Sequence, residues 1–345
     1  MIGAIIGDIV GSRFEWDNHR SKDFDLLTHK CFFTDDSVMS LAVCDALMKC
    51  QGDYSDLGEQ AIRSMQSVGR PYPHCGYGGS FQRWMYSDNP APYNSYGNGA
   101  AMRVSGCGYV GRTIDEVKQL SRSVTEVTHN HPEGIKGAEA TAVAVFLART
   151  GKSLIEIQDY IIKNYYPLGF TLDSIRETYR FNETCQDTVP QALEAFFEST
   201  NFEDAIRNAI SIGGDSDTLA AITGSVAEAY YGVPTSVRKH ALTFLDERLL
   251  KILLEFENRY PAKIEKKNET GSVGISPSTG MKVRTGGRAE MMESAMDVAD
   301  LELDASTTHP EETTSQMVGV DAEIAPVGVH YIPVSYTHLR AHETR

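Results

Sequence analysis

The sequence predicts an all-α fold, a compact multi-helix domain. Apolar residues recur near i, i+3/i+4 and i+7 in segment after segment between residues 38 and 232. Alternating β-branched runs are nearly absent. At the N-terminus Gly3, Gly7 and Gly11 fall four apart and share one helical ridge. Such a ridge lets a second helix approach closely. Asp8, inside it, argues against a membrane-dimer face.

The periodic segments justify the helices in order. VMSLAVCDALMKC (38–50) and LGEQAIRSMQSVG (57–69) come first, then IDEVKQLSRSVTEV (114–127) and GAEATAVAVFLART (137–150). VPQALEAFFES (189–199), FEDAIRNAIS (202–211) and TLAAITGSVAEAYYG (218–232) close the series. In each, the apolar positions line a stripe suited to packing on a core.

After Pro261 the composition shifts to polar, Gly/Ser/Lys-rich and then acidic sequence. We therefore expect a domain over 1–262 and a linker or disordered tail over 263–333. The last stretch, VSYTHLRAHETR (334–345), resembles the conceptual translation of a sequencing adapter. It is set aside from fold and function as an artefact, and the natural chain is expected to continue past Pro333.

Composition narrows the function. With 345 residues, 41% of them hydrophobic, the chain can bury a large core. A net charge of −15, from 47 acidic and 32 basic residues, repels phosphate backbones. Nucleic acid is therefore not expected as a partner. The six cysteines form no CxxC pair and no His lies at zinc-finger spacing. They are expected to be scattered reduced thiols in a cytoplasmic protein. Neither a signal peptide nor a membrane span is expected.

Two clusters rich in oxygen stand at helix starts. FFTDDSVMS (32–40) offers Thr34, Asp35 and Asp36 before a helix expected near Val38. SIGGDSDTLAAITGS (211–225) offers Asp215, Asp217 and Thr218 at the next. Each could simply cap its helix. A cap needs one side chain, however, and each cluster supplies three. Together they hold four carboxylates and two hydroxyls, a donor set suited to hard cations such as Mg²⁺ or Mn²⁺.

Four other segments could carry chemistry. GYGGSFQRWM (76–85) and SYGNGAAMRVSG (95–106) are tight turns or cradles that aim backbone amides at a diphosphate. Arg103 would then be a countercharge, or else a salt-bridge partner. His129 and His131 precede Pro132, and substrate lining suits them better than ligation of a hard cation. Glu15 lies between Phe14 and Trp16, where desolvation would raise its pKa for acid–base work; a solvated surface Glu is the alternative.

Taken together and in order, GDIVGSRFEW, FTDDS, GYGGSFQRW, SYGNGAAMRVS, THNHPEGIKGAEA and SIGGDSDTLAAITGSVAEAYYG resemble the ADP-ribosylglycohydrolases. This group includes dinitrogenase reductase-activating glycohydrolase. The likeness spans residues 1 to about 255. It implies an all-helical fold around a cleft holding two Mg²⁺ or Mn²⁺ ions, and hydrolysis of a glycosidic bond at C1″ of ADP-ribose. By this resemblance Thr34, Asp35, Asp36, Asp215, Asp217 and Thr218 would be metal ligands. Glu15, with Asp35 and Asp217, would be catalytic. Gly97, Asn98, Gly99, Ala100 and Met102 would form the loop around the diphosphate, and His129 would line the cleft. The substrate would be an ADP-ribosylated protein or small molecule. FTDDS replaces the frequent TDDT, but Ser37 is not among the implied ligands.

Two other readings share these residues. One is a catalytically idle ADP-ribose-binding or structural protein, since crystallins of this fold belong to the same resemblance. The other is a dinuclear hydrolase of another nucleotide.

Overall fold

In the computed structural model, residues 1–261 are described. The 263–333 tail and the 334–345 segment lie outside the described residues. The chain forms α1 (Ile2–Gly11), α2 (Asp35–Lys49), α3 (Leu57–Gly69), α4 (Gly79–Tyr86), α5 (Gly99–Met102), α6 (Ser105–Val110) and α7 (Ile114–Thr125). Then come α8 (Pro132–Arg149), α9 (Leu154–Asn164), α10 (Leu172–Ile175), α11 (Cys185–Phe197), α12 (Phe202–Ile210), α13 (Ser216–Tyr231), α14 (Thr235–Leu242) and α15 (Glu247–Arg259). No strand forms among the described residues; Gly97 and Thr184 make one isolated antiparallel bridge. No described helix is long and apolar enough to cross a membrane.

All ten residues of α1 are buried. It packs most extensively on α13, which α8, α11 and α12 flank, while α2 joins α3 and α15. The glycine ridge explains the first pairing. A Cβ on Gly7 would stand 2.0 Å from the Ala220 carbonyl oxygen, and one on Gly3 2.3 Å from that of Gly224. Only hydrogen fits between these backbones. Ile2, Ile5, Ile6 and Ile9 fill the flanks, each fully buried side chain contributing about 2 kcal/mol.

Helix starts differ from the sequence reading in an instructive way. α2 begins at Asp35 rather than near Val38, with Thr34 as its N-cap accepting the Asp36 amide at 3.3 Å. α13 begins at Ser216, with Asp215 at the cap position. Acidic side chains in a first turn complement the helix dipole, so the helices extend backwards through them. The glycine-rich stretches are not wholly turns either: α4 fills most of one, and the short α5 and α6 fill the other. His131 caps α8, its Nδ1 accepting the Glu133 amide at 3.1 Å.

Candidate functional site

Close packing of α1 on α13 creates the site. A Cβ on Gly11 would fall 2.5 Å from Asp217 Cα, so the end of α1 rests on the start of α13. Asp8, fully buried in α1, reaches the start of α2. Its carboxylate accepts the Thr34 amide at 2.9 Å, the Thr34 hydroxyl at 2.7 Å, the Ser37 amide at 3.0 Å and the Ser37 hydroxyl. It thereby fastens the first turn of α2 to α1. Sequence reasoning used Asp8 only as an argument against a membrane. The missed signal was a lone carboxylate in a helix with no polar face.

The start of α13 is built differently. Gly213 and Gly214 adopt φ of +71° and +78°, a left-handed turn that glycine enters without strain. Asn18 Oδ1 accepts the Gly214 amide at 3.1 Å and holds this turn. Asp215 occupies the cap position, yet its side chain makes no capping bond. It accepts instead from Asn98 Nδ2 at 2.6 Å and shares a hydrogen bond with Asp217. Simple capping therefore describes Thr34 in part and Asp215 not at all.

The two clusters meet. Thr218 Oγ1 donates to Asp36 Oδ2 at 3.2 Å. Glu15, in the turn after α1, joins Asp215 and Asp217, and the three carboxylates offer oxygens within 4.8 Å of one another. Asp35 and Asp36 lie outside that trio but within electrostatic reach of Asp217. Asp35 is placed by its amide, which donates to the Cys75 carbonyl at 2.7 Å. Gly76 beside it has φ +101°, and a Cβ there would stand 3.0 Å from Asp35 Oδ1.

Burial and mutual repulsion raise every one of these acids. For Asp35, Asp36 and Asp217 burial is the larger cause, neighbouring carboxylates the next, and each is held well above the usual carboxylate range. Asp215 is pushed to about 7 by burial, against hydrogen bonds from Asp217 and Asn98. Glu15 is pushed to about 8 by burial and then by Asp217, Asp8 and Glu183; a hydrogen bond from the Trp16 side chain opposes this. Burial also raises Asp8, against its bonds from Ser37 and Thr34.

This donor set fits a hard cation. Asp36 Oδ1 is buried with no hydrogen-bond partner among the described residues, an orphan that costs free energy unless a ligand meets it. The remaining donors are carboxylate and hydroxyl oxygens, the type Mg²⁺ and Mn²⁺ take.

The glycine loop lies beside the acids. The Asn98 amide nitrogen donates to the Glu183 carbonyl at 2.7 Å, and Cys185 N to that of Tyr96 at 2.9 Å. Ala100 and Met102 are buried, and their amides bond to the Gly97 and Asn98 carbonyls. Gly97 and Gly99 face His129: a Cβ on either would stand 3.5 Å from its Nε2. His129 is buried, and burial followed by the Arg103 charge holds its pKa well below the ordinary value. Trp16 and Phe181, both exposed, stack with centroids 5.0 Å apart.

Comparison with known proteins adds a family and several relatives. The sequence profile of the ADP-ribosylglycohydrolase family matches residues 1–267. The human ADP-ribosylhydrolase ARH3 is 25% identical over 311 residues, covering 68% of this chain and 84% of the relative. The ADP-ribosylarginine hydrolase Tri1 of Pseudomonas putida (strain GB-1) is 26% identical over 292 residues, covering 76% and 77%. A solved structure described as an ADP-ribosylglycohydrolase-related protein complex superposes with a TM-score of 0.53 at 22% identity. It covers 74% of this chain and 95% of that one, a likeness of fold.

Proposed function

The chain belongs to the ADP-ribosylglycohydrolase family and is a hydrolase of that kind, and from that premise we propose a divalent-cation-dependent reaction at C1″ of ADP-ribose. The substrate is an ADP-ribosylated protein side chain or small molecule, and free ADP-ribose is released. The observation that carries this reading is the meeting of two helix starts, joined by the Thr218–Asp36 hydrogen bond, around buried carboxylates, with Asp36 Oδ1 unpartnered among the described residues.

Thr34, Asp35, Asp36, Asp215, Asp217 and Thr218 are the proposed ligands of two Mg²⁺ or Mn²⁺ ions. Cations held there would supply Lewis acidity to a water and to the ribose hydroxyls. The chain's own residues do the rest. Asp8 holds the α2 ligands at a fixed height on α1, and Asn98 orients Asp215. Asp35 and Asp217, carboxylates from the two helix starts, orient the attacking water. Glu15, raised by burial and its acidic neighbours, is the group that would hand a proton to the leaving group as an oxocarbenium-like state forms. Gly97, Asn98, Gly99, Ala100 and Met102 form the loop that borders the diphosphate, with Ala100 and Met102 supporting it from the interior. His129 lines it. The six free thiols suit a cytoplasmic location, which belongs to the same proposal.

The test is release of ADP-ribose from a panel of arginine-, serine- and small-molecule-linked substrates, with Mg²⁺ or Mn²⁺ and again with EDTA. Release that EDTA and Asp217→Ala both abolish supports the reading. Release untouched by chelation removes the cation from it. Tight ADP-ribose binding without turnover of any substrate would favour the binding-only protein.

A further inference from the structure

Arg103, which the sequence offers as a countercharge or a salt-bridge partner, closes the GNGAAMR run. It is 1% exposed and makes no ion pair among the described residues. Its Nη2 donates to Thr128 Oγ1 at 2.6 Å, its Nε has no partner among the described residues, and its guanidinium sits 5.5 Å from the Phe81 ring centroid. A buried, incompletely paired guanidinium is costly, so stability alone gives it little reason to be there.

Thr128 Oγ1 also lies 2.7 Å from His129 Nδ1. A threonine hydroxyl has one proton to give. Here it has two acceptors in reach, His129 Nδ1 and the Thr125 carbonyl at 3.3 Å. That carbonyl already accepts the His129 amide at 2.8 Å and the Thr128 amide at 3.1 Å, which uses both its lone pairs. The Nδ1 contact at 2.7 Å is much the shorter of the two and its acceptor the less crowded, so the geometry favours the hydroxyl proton on the Nδ1 side, while the hydroxyl oxygen accepts from Arg103. A neutral imidazole whose Nδ1 accepts must carry its proton on Nε2.

Nε2 has no hydrogen-bond partner among the described residues. It faces Gly97 and Gly99, where an added Cβ would stand 3.5 Å away, in van der Waals contact. We propose that Arg103 and Thr128 are positioning residues that lock His129 in the Nε2–H tautomer, presenting a fixed donor to an oxygen of ADP-ribose over the Gly97–Gly99 turn. The acceptor rests on the function proposed above; the tautomer does not. The depressed pKa of His129 agrees with a ring that stays neutral.

The experiment is ¹⁵N NMR of the full chain labelled at histidine, with the His129 signals assigned by their loss in His129→Gln. The expected spectrum has an unprotonated, pyridine-type Nδ1 and a protonated, pyrrole-type Nε2 that shifts when ADP-ribose is added. Thr128→Val should mix or reverse the tautomers and raise KM about tenfold with little change in kcat, the loss of roughly one hydrogen bond. Thr128→Ser should restore the wild-type spectrum. A pyrrole-type Nδ1 in the wild type overturns the proposal, and no variant is needed to see it. An unchanged tautomer in Thr128→Val overturns the relay, and an Nε2 that ignores ADP-ribose overturns the donor role. The expected tautomer in a protein that releases no ADP-ribose would count against the function and not against the relay.

Discussion

The Thr218 hydroxyl donates to Asp36 Oδ2 across 3.2 Å, joining residues 182 apart in the chain. Each belongs to the first turn of its own helix, and neither helix accounts for the contact alone. Asp36 Oδ1, the other oxygen of the same carboxylate, is buried and has no partner among the described residues. The pair marks where the two acidic helix starts face one another, and the predictions below test what that arrangement does.

Cation binding should stabilise the fold. Buried like charges oppose folding, and a divalent ion that binds only the native state relieves them. Mg²⁺ or Mn²⁺ at a hundredfold excess over Kd should add about 2.7 kcal/mol and raise Tm. Asp217→Asn should lose that increment while its chelated form melts no lower than the chelated wild type. A Tm indifferent to both ions would refute cation binding at the site.

Stability of the chelated protein should fall with rising pH. Glu15 is raised from 4.5 to about 8 and Asp215 from 3.8 to about 7 in the folded chain. A raised carboxylate binds its proton more tightly in the native state. Its contribution is therefore complete below the unfolded pKa and is lost as pH climbs through the folded one. Urea midpoints should decline between about pH 5 and 8 in EDTA. With Mn²⁺ present the slope should flatten or reverse, because the ligands must be deprotonated to bind. Glu15→Gln should remove part of the decline in EDTA.

The α1–α13 contact should tolerate no added methyl group. Gly7→Ala places a Cβ 2.0 Å from the Ala220 carbonyl oxygen, backbone against backbone. It should cost about 3 kcal/mol or more and remove activity by parting Asp8 from Asp217. Gly58→Ala is the control: its nearest neighbour would be 3.6 Å away, so denaturation should move by less than about 1 kcal/mol. Equal losses in both variants would remove close approach as the reason for the glycines.

Asn98 should act on metal affinity. Its side chain donates to Asp215 at 2.6 Å and to Thr188 at 3.2 Å. Asn98→Leu removes a bond that lowers the Asp215 pKa, so the carboxylate becomes harder to ionise. Mn²⁺ titration by calorimetry should show affinity weakened about 10- to 100-fold, the usual effect of losing an outer-shell partner. Unchanged affinity with a raised KM for substrate would instead place Asn98 in direct substrate contact.

Trp16 should tune Glu15. Its side-chain hydrogen bond lowers the Glu15 pKa against burial and three acidic neighbours. Trp16→Phe keeps a ring to stack on Phe181 and deletes the donor. If Glu15 is the acid, the alkaline limb of the kcat/KM profile should move up by about half a unit to one unit. A limb that stays in place would take Glu15 out of that role.

Much of this is legible in the sequence. The helical period of FEDAIRNAIS and LGEQAIRSMQSVG announced α12 and α3, because a 3.6-residue stripe of apolar side chains is local information. Residues 154–164, 235–242 and 247–259 also form helices, and these went unread. Each buries few side chains completely. GNGAAMR offers Arg103 as a countercharge or a salt-bridge partner, and nothing in that run shows that its guanidinium lies beside Phe81 and Thr128.

The sequence by itself determined the helical class, the glycine ridge and the oxygen-rich chemistry of the two helix starts, since period, residue size and donor type are properties of neighbouring residues. The tertiary structure alone decided that these starts face each other, that Asp8 binds one of them, and that Asp215 serves Asn98 and Asp217 rather than its own helix. The reason is physical: three glycines bring α1 into backbone contact with α13, and only that contact gathers carboxylates from distant parts of the chain into one buried cluster.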